Sequence, residues 1–218
     1  MKLPGLESVE RQPLNVIVYE KLKTSIVNGD IEPGTRITEA TVSKQLNVSS
    51  TPVREAFRKL SAEGLITIVP WKGAIVQEFT SKQILDVYQC RTSLEELAVE
   101  LAIPRIDADG IDQLKDCVKK SITCESHTEY VELNTKLHDL IYEFADNPTL
   151  MNLYNQIKDV VIHNRIVTSY SEERKRQIIE EHEAIIKYIE QKDIDNAKQA
   201  VRTHIFKGYD HIKTRFEK

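Results

Sequence analysis

Glycine and proline, the two residues that break helices, almost vanish from the later part of this sequence. Residues 81–216 hold only Gly110, Gly208, Pro104 and Pro148. A folded chain so poor in breakers runs in long helices, since an interior glycine costs a helix about 1 kcal/mol and a proline about 3 kcal/mol. Apolar residues there recur every three to four positions, so each segment carries one apolar stripe. The pattern predicts helices near 81–103, 108–124, 127–146, 148–168, 172–191 and 194–215. Short turns between six such helices give an antiparallel bundle.

Ahead of residue 80 the texture differs. Leu14, Val18, Leu22 and Ile26 share one face of a helix read over 13–28 and closed by Gly29. Residues 31–37 turn around Pro33-Gly34, and Thr38 then caps a short helix carrying Val42 and Leu46. Ser50 reads as the cap of a third helix, with Pro52 in its first turn and Val53, Phe57 and Leu60 facing inward as far as Gly64. Two β-branched runs flank Pro70–Gly73 and read as a hairpin. The expected fold is therefore mostly α: a winged helix-turn-helix domain over residues 1–79 and a six-helix bundle over 80–218. Thr80-Ser81 marks the boundary.

Composition narrows the function. No apolar run approaches the ~20 residues that span a bilayer, and no signal-peptide core is present, so no membrane is expected. Cys90, Cys117 and Cys124 are odd in number and form no CxxC, which points to a cytoplasmic protein. The net charge of −4 excludes a uniformly basic nucleic-acid binder. It is unevenly spread: residues 1–80 carry 10 basic and 9 acidic side chains, residues 81–218 carry 20 and 25. Affinity for nucleic acid then has to come from a local patch in the first part.

The stretch Leu46–Gly64 has the makings of that patch. In a helix-turn-helix the second helix enters the major groove, its first turn meeting bases and phosphates. Ser49, Ser50 and Thr51 offer hydroxyls and free N–H groups at a helix start, which suit a phosphate. Arg54 and Arg58 lie one turn apart on the outer face, and Arg54 fits a guanine edge, a contact worth roughly 1–3 kcal/mol of discrimination. Lys72 at the hairpin tip suits a phosphate. The bland alternative is a solvated face in which Glu55 and Glu63 pair with these cations.

The stretch NGDIEPGTRITEATVSKQLNVSSTPVREAFRKLSAEGLITIVPWKGAIV, residues 28–76, resembles the DNA-binding domain of GntR-family bacterial transcriptional regulators. It shares G-x-x-x-PG, V-S-x-T-P-V-R-E-A, L-x-x-E-GL and a wing glycine, Gly73. The helical remainder resembles the FCD-type ligand-binding domain of the FadR subfamily, in its shorter VanR-like branch. The DNA contacts expected are Ser49, Ser50, Thr51, Arg54, Arg58, Lys72 and Gly73. Many relatives have arginine where this chain has Ser50, and some where it has Ala40, so Arg54 is the base-reading arginine that remains.

Three histidines interrupt apolar stripes on three helices: His138 near Val131, Leu137 and Ile141; His182 among Ile178, Ile185 and Ile189; His204 among Val201 and Ile205. Each alone is an ordinary core histidine; together they suit one divalent metal, zinc or nickel. The resemblance agrees, because many FadR-type domains hold a metal with an Asp-x-x-x-His pair and two later histidines. Here the set is Asn134, His138, His182 and His204, and Asn134 brings an amide oxygen without the usual charge. His127, His163 and His211 lie off this pattern and are expected at the surface or partly packed. Arg91, on the line of Ile84, Val87 and Leu94, is either an ion-pair partner of Glu95 or an inward guanidinium for an anionic effector.

The expected function is a homodimeric regulator that binds double-stranded operator DNA under the control of a small organic anion, a carboxylate or sugar acid, with the metal as cofactor. The rival is a metal-dependent hydrolase using the three histidines, with the winged helix as an interaction module. Against it, no HExxH-like base motif is present, and Glu181 directly precedes His182, pointing another way. A third reading makes the winged helix a protein-docking module.

Overall fold

The computed structural model describes residues 12–168 and 170–217. These form two compact units: the first runs to Ile26 and from Asp30 to Gln77, and the second takes Val27–Gly29 and the chain from Glu78 onward.

The first unit contains α1 (Leu14–Val27), β1 (Arg36–Ile37), α2 (Glu39–Leu46), α3 (Ser50–Ala62), β2 (Ile66–Val69) and β3 (Gly73–Val76). Val18, Leu22, Ile26, Val42, Val53, Phe57, Leu60 and Val76 are buried, while Leu14 at the start of α1 is exposed. The Thr38 hydroxyl accepts from Thr41 N at 3.1 Å, capping α2 as expected. The cap of α3 differs from expectation. Ser50 is already helical, and Ser49 holds the cap position without a side-chain cap bond. Pro52 explains this: it sits third in the helix, where a capping hydroxyl would look for an N–H, and has none to give. The helix ends in a Schellman motif, with Leu65 N bonded to Leu60 O at 3.0 Å, Gly64 N to Ser61 O at 3.1 Å, and Gly64 at φ +74°.

The hairpin gains a third strand that the turn at 31–37 conceals. β1 pairs antiparallel with β3, giving the order β1-β3-β2, with Ile37 opposite Ala74 and Arg36 opposite Ile75. Gly73 is required by that pairing. Its φ is +94°, and a Cβ there would lie 2.4 Å from the Ile37 carbonyl oxygen.

The second unit is helical: α4 (Ser81–Ala102), α5 (Ala108–Thr123), α6 (His127–Ala145), α7 (Pro148–Val167), α8 (Glu172–Glu190) and α9 (Ile194–Lys213), then a single 3₁₀ turn. Each helix starts on a side-chain cap, from Thr80, Asp107, Ser126, Asn147, Ser171 and Asp193 in turn. Thr80 and Gln83 form a full capping box. α4 packs against α6, α7 and α9, α8 packs against α9, and the apolar core runs through Ile84, Leu114, Leu137, Ile141, Ile185 and Ile205. A polar cluster interrupts this core.

Candidate functional site

His138 on α6, His182 on α8 and His204 on α9 are 1, 2 and 2% exposed, and their ligand nitrogens all lie within 4.8 Å of one another. Two carboxylates, the buried Glu95 and the half-buried Glu181, orient two of the rings. Glu181 Oε2 is 2.8 Å from His204 Nδ1, and because a carboxylate only accepts, Nδ1 carries the proton and Nε2 keeps its lone pair. Glu95 Oε2 is 2.6 Å from His138 Nδ1, close but out of line for a good hydrogen bond, and its charge favours the same tautomer. His138 Nε2 and His204 Nε2 then meet at 3.2 Å with lone pairs toward each other. A cation between them relieves that repulsion. His182 Nε2 and Asn134 Oδ1 are buried without a hydrogen-bond partner, and Asn134 lies one turn before His138 on the same face of α6. The donor set fits a divalent ion.

Burial holds all three imidazoles below their ordinary pKa, hence in the neutral, ligating form. Arg91 adds to the effect at His138 and the neighbouring histidines at His182, while Glu181 pulls His204 partly back. Burial pushes the Glu181 carboxyl up, but hydrogen bonds from His204 and Arg174 outweigh it and bring its pKa to about 2.

The guanidiniums around this centre outnumber the carboxylates. Arg91 is buried, with Nε 2.6 Å from Glu95 Oε1 and Nη2 3.3 Å from His138 Nε2. Arg174 binds Glu181 through two hydrogen bonds, at 2.7 and 3.1 Å. Arg165, near the end of α7, is also buried and forms no ion pair among the described residues.

In the first unit, Ser49, Ser50, Thr51, Arg54, Arg58 and Lys72 are exposed and Gly73 is half-buried. An open cleft of about 710 Å³ runs between the start of α3 and the hairpin, lined by Arg36, Glu39, Arg54, Arg58, Trp71 and Lys72 among others. Arg54 pairs with neither Glu55 nor Glu63. Its Nε lies 3.0 Å from Glu39 Oε1 and its Nη2 2.7 Å from Glu39 Oε2. Glu63 instead accepts from Tyr19 Oη at 2.7 and 2.9 Å, tying α3 to α1. Arg36 Nε donates to Lys72 O at 2.6 Å, bracing the hairpin tip, where Trp71 is fully exposed at φ +62°.

Residues 14–76 match the bacterial regulatory proteins of the gntR family, and residues 86–207, more than half the chain, match the FCD domain. The chain belongs to the GntR family. Among its relatives, the HTH-type regulator YdhC of Bacillus subtilis is 33% identical over 92% of both chains. The gluconate operon repressor of the same species is 30% identical over 81% of this chain and 75% of its own. The solved structure of McbR/YncC from Escherichia coli covers 94% of this chain and all of its own at a TM-score of 0.78, with 20% identity, a likeness of fold. The winged helix-turn-helix followed by a helical FCD domain is the fold of this GntR regulator. The family and these relatives are regulators of transcription rather than enzymes, so the hydrolase reading is set aside. Among the described residues no helix is long and apolar enough to cross a membrane.

Two expectations for this GntR chain need correction. His163, expected at the surface or partly packed, is fully buried, with the Phe79 ring at 6.4 Å. The two readings of Arg91 are not alternatives, because the side chain points inward and pairs with Glu95 at once. Glu95 was foreseen only as that partner; its second contact, to His138, joins residues 43 apart. Arg174 and Glu181 lie two turns apart on α8, a spacing that hints at a pair but not at a bond to His204. Arg165 gave no sequence signal beyond a cation late in a helix.

Proposed function

We propose that this GntR regulator binds operator DNA as a homodimer and responds to a small organic anion held with a divalent metal in the FCD bundle. One observation carries the proposal: Glu95 and Glu181 favour the tautomers that bring the Nε2 lone pairs of His138 and His204 together, a ring nitrogen of His182 lies within 4.8 Å of a ligand nitrogen of each, and His182 Nε2 and Asn134 Oδ1 are buried without partners. His138, His182, His204 and Asn134 would hold the ion, zinc or nickel by their donor chemistry. Bound there, the ion supplies a Lewis-acidic anchor for an anionic oxygen. The Arg91 charge is answered by Glu95, which leaves Arg165 as the buried cation free to balance the effector. The relative named for the gluconate operon puts sugar acids first among the anions to test.

The dimer follows from the reading head. One helix-turn-helix spans too few base pairs for specific binding, so two copies meet half-sites about one helical turn apart. The effector then acts by favouring one arrangement of the two heads over another. Ser49, Ser50, Thr51, Arg58, Lys72 and Gly73 serve phosphates, and Arg54 reads a base.

The test combines metal analysis of protein purified without chelator with mobility shifts on duplexes that the protein selects from a randomised pool. Bound metal, and a shift altered by chelation or by gluconate, are expected. Protein without metal that shows no thermal response to zinc, nickel or manganese overturns the metal and effector reading.

A further inference from the structure

We propose that Glu39 is a positioning residue for base reading: its carboxylate holds the Arg54 guanidinium by one edge and leaves the opposite edge aimed outward at DNA. The proposal rests on Arg54 as the base-reading side chain.

Glu39 is the first residue of α2, fixed in place by the Thr38 cap, and Arg54 lies in the second turn of α3. The two side chains meet across the helix-turn-helix, with Arg54 Nε 3.0 Å and 3.2 Å from the two Glu39 oxygens and Nη2 2.7 Å from Oε2. A guanidinium has five N–H bonds in a rigid plane. Glu39 uses those on the Nε and inner Nη2 side. The outer Nη2 hydrogen and the two on Nη1 remain, and their parallel pair is the fork that fits guanine O6 and N7.

Charge supports this role. A carboxylate on a surface that approaches phosphates opposes binding unless it is neutralised. Here the Arg54 hydrogen bonds hold the Glu39 carboxyl below its ordinary pKa, so it stays ionised and paired. Both partners border the open cleft between α3 and the hairpin. A free arginine at that rim samples many rotamers and loses them on binding; one already held loses fewer.

A duplex selected from a randomised pool by the full wild-type chain, together with its single G·C to A·T variants, supplies the probes. Glu39→Gln should lower selectivity at the base pair read by Arg54 roughly two- to tenfold, the range expected for immobilising one long side chain. Binding to an unrelated duplex should hold or strengthen, since a negative charge is lost. Glu39→Asp keeps the charge but shortens the reach, and should lose selectivity as well. In an Arg54→Ala background, Glu39→Gln should change selectivity no further, an outcome that a purely structural role for Glu39 would not give.

If Arg54→Ala keeps full selectivity, the reading of Arg54 fails and this proposal with it. If Arg54→Ala loses selectivity while Glu39→Gln and Glu39→Asp keep it, only the Glu39 role fails. A gain in selectivity on Glu39→Gln would make the pair a lock and overturn the proposal.

Discussion

Replacing His182 with leucine separates two effects that a metal site ties together. In the metal-free protein His182 Nε2 is buried without a hydrogen-bond partner, a condition that costs about 1–3 kcal/mol. Leucine fills similar space with no polar atom, so metal-free His182→Leu should melt no lower than metal-free wild type. With metal the order reverses. An ion at a hundredfold excess over its Kd adds about 2.7 kcal/mol to the folded state by mass action. For a chain of this size each kcal/mol moves Tm by about 2–4 °C, so wild type should gain about 5–11 °C from zinc or nickel. The leucine variant loses one of three imidazoles and should gain little. Calorimetry with and without chelator, following the transition of the helical unit, measures both effects. Wild type that gains nothing from metal, or a variant that gains as much as wild type, refutes the shared site. A metal-free variant melting well below metal-free wild type refutes the argument from the unpartnered nitrogen.

Three further outcomes follow from the first unit. Arg54→Ala should cost roughly 1–3 kcal/mol at one base pair, whereas Lys72→Ala should weaken all duplexes alike and reduce the salt slope by about one, both read by binding across a salt series. Gly73→Ala meets the Ile37 carbonyl and a positive φ, and should cost about 1–3 kcal/mol or more in the melt of that unit, with weaker DNA binding. Burial, with Glu63 adding and Lys23 opposing, raises the Tyr19 hydroxyl from about 10 to about 12. A pKa raised on folding gives stability that is full below pH 10 and lost as pH rises toward 12. Tyr19→Phe should remove that part of the alkaline loss, as seen in melts between those pH values and in phenolate absorbance.

The helices of the bundle were legible because their ends are written locally. Thr80, Asp107, Ser126, Asn147, Ser171 and Asp193 stand where each apolar stripe begins, and the observed ends fall within about two residues of the expected ones. The three histidines were legible for the same reason, as polar breaks in those stripes. β1 was not, because two residues show no alternation and its partner strand lies some forty positions away. The missing side-chain cap of α3 was a local conflict that the serine pattern hid, since the deciding residue was Pro52 rather than either serine. What surrounds the histidines was least legible. Glu95, Glu181 and Arg165 gain their roles only when α4, α7, α8 and α9 close around α6, and no spacing within one helix encodes that meeting.

Trp71 is the only tryptophan in the chain, and it stands fully exposed at the tip of the wing. Tryptophan fluorescence, excited apart from the eight tyrosines, therefore reports on one turn of one unit. Its emission should already be that of a solvated indole in the folded state, so a melt followed at this wavelength would pass over the collapse of the helical bundle almost unseen. The same isolation turns the residue into a built-in probe. A duplex entering the cleft beside Lys72 would quench or shift this single tryptophan without any label.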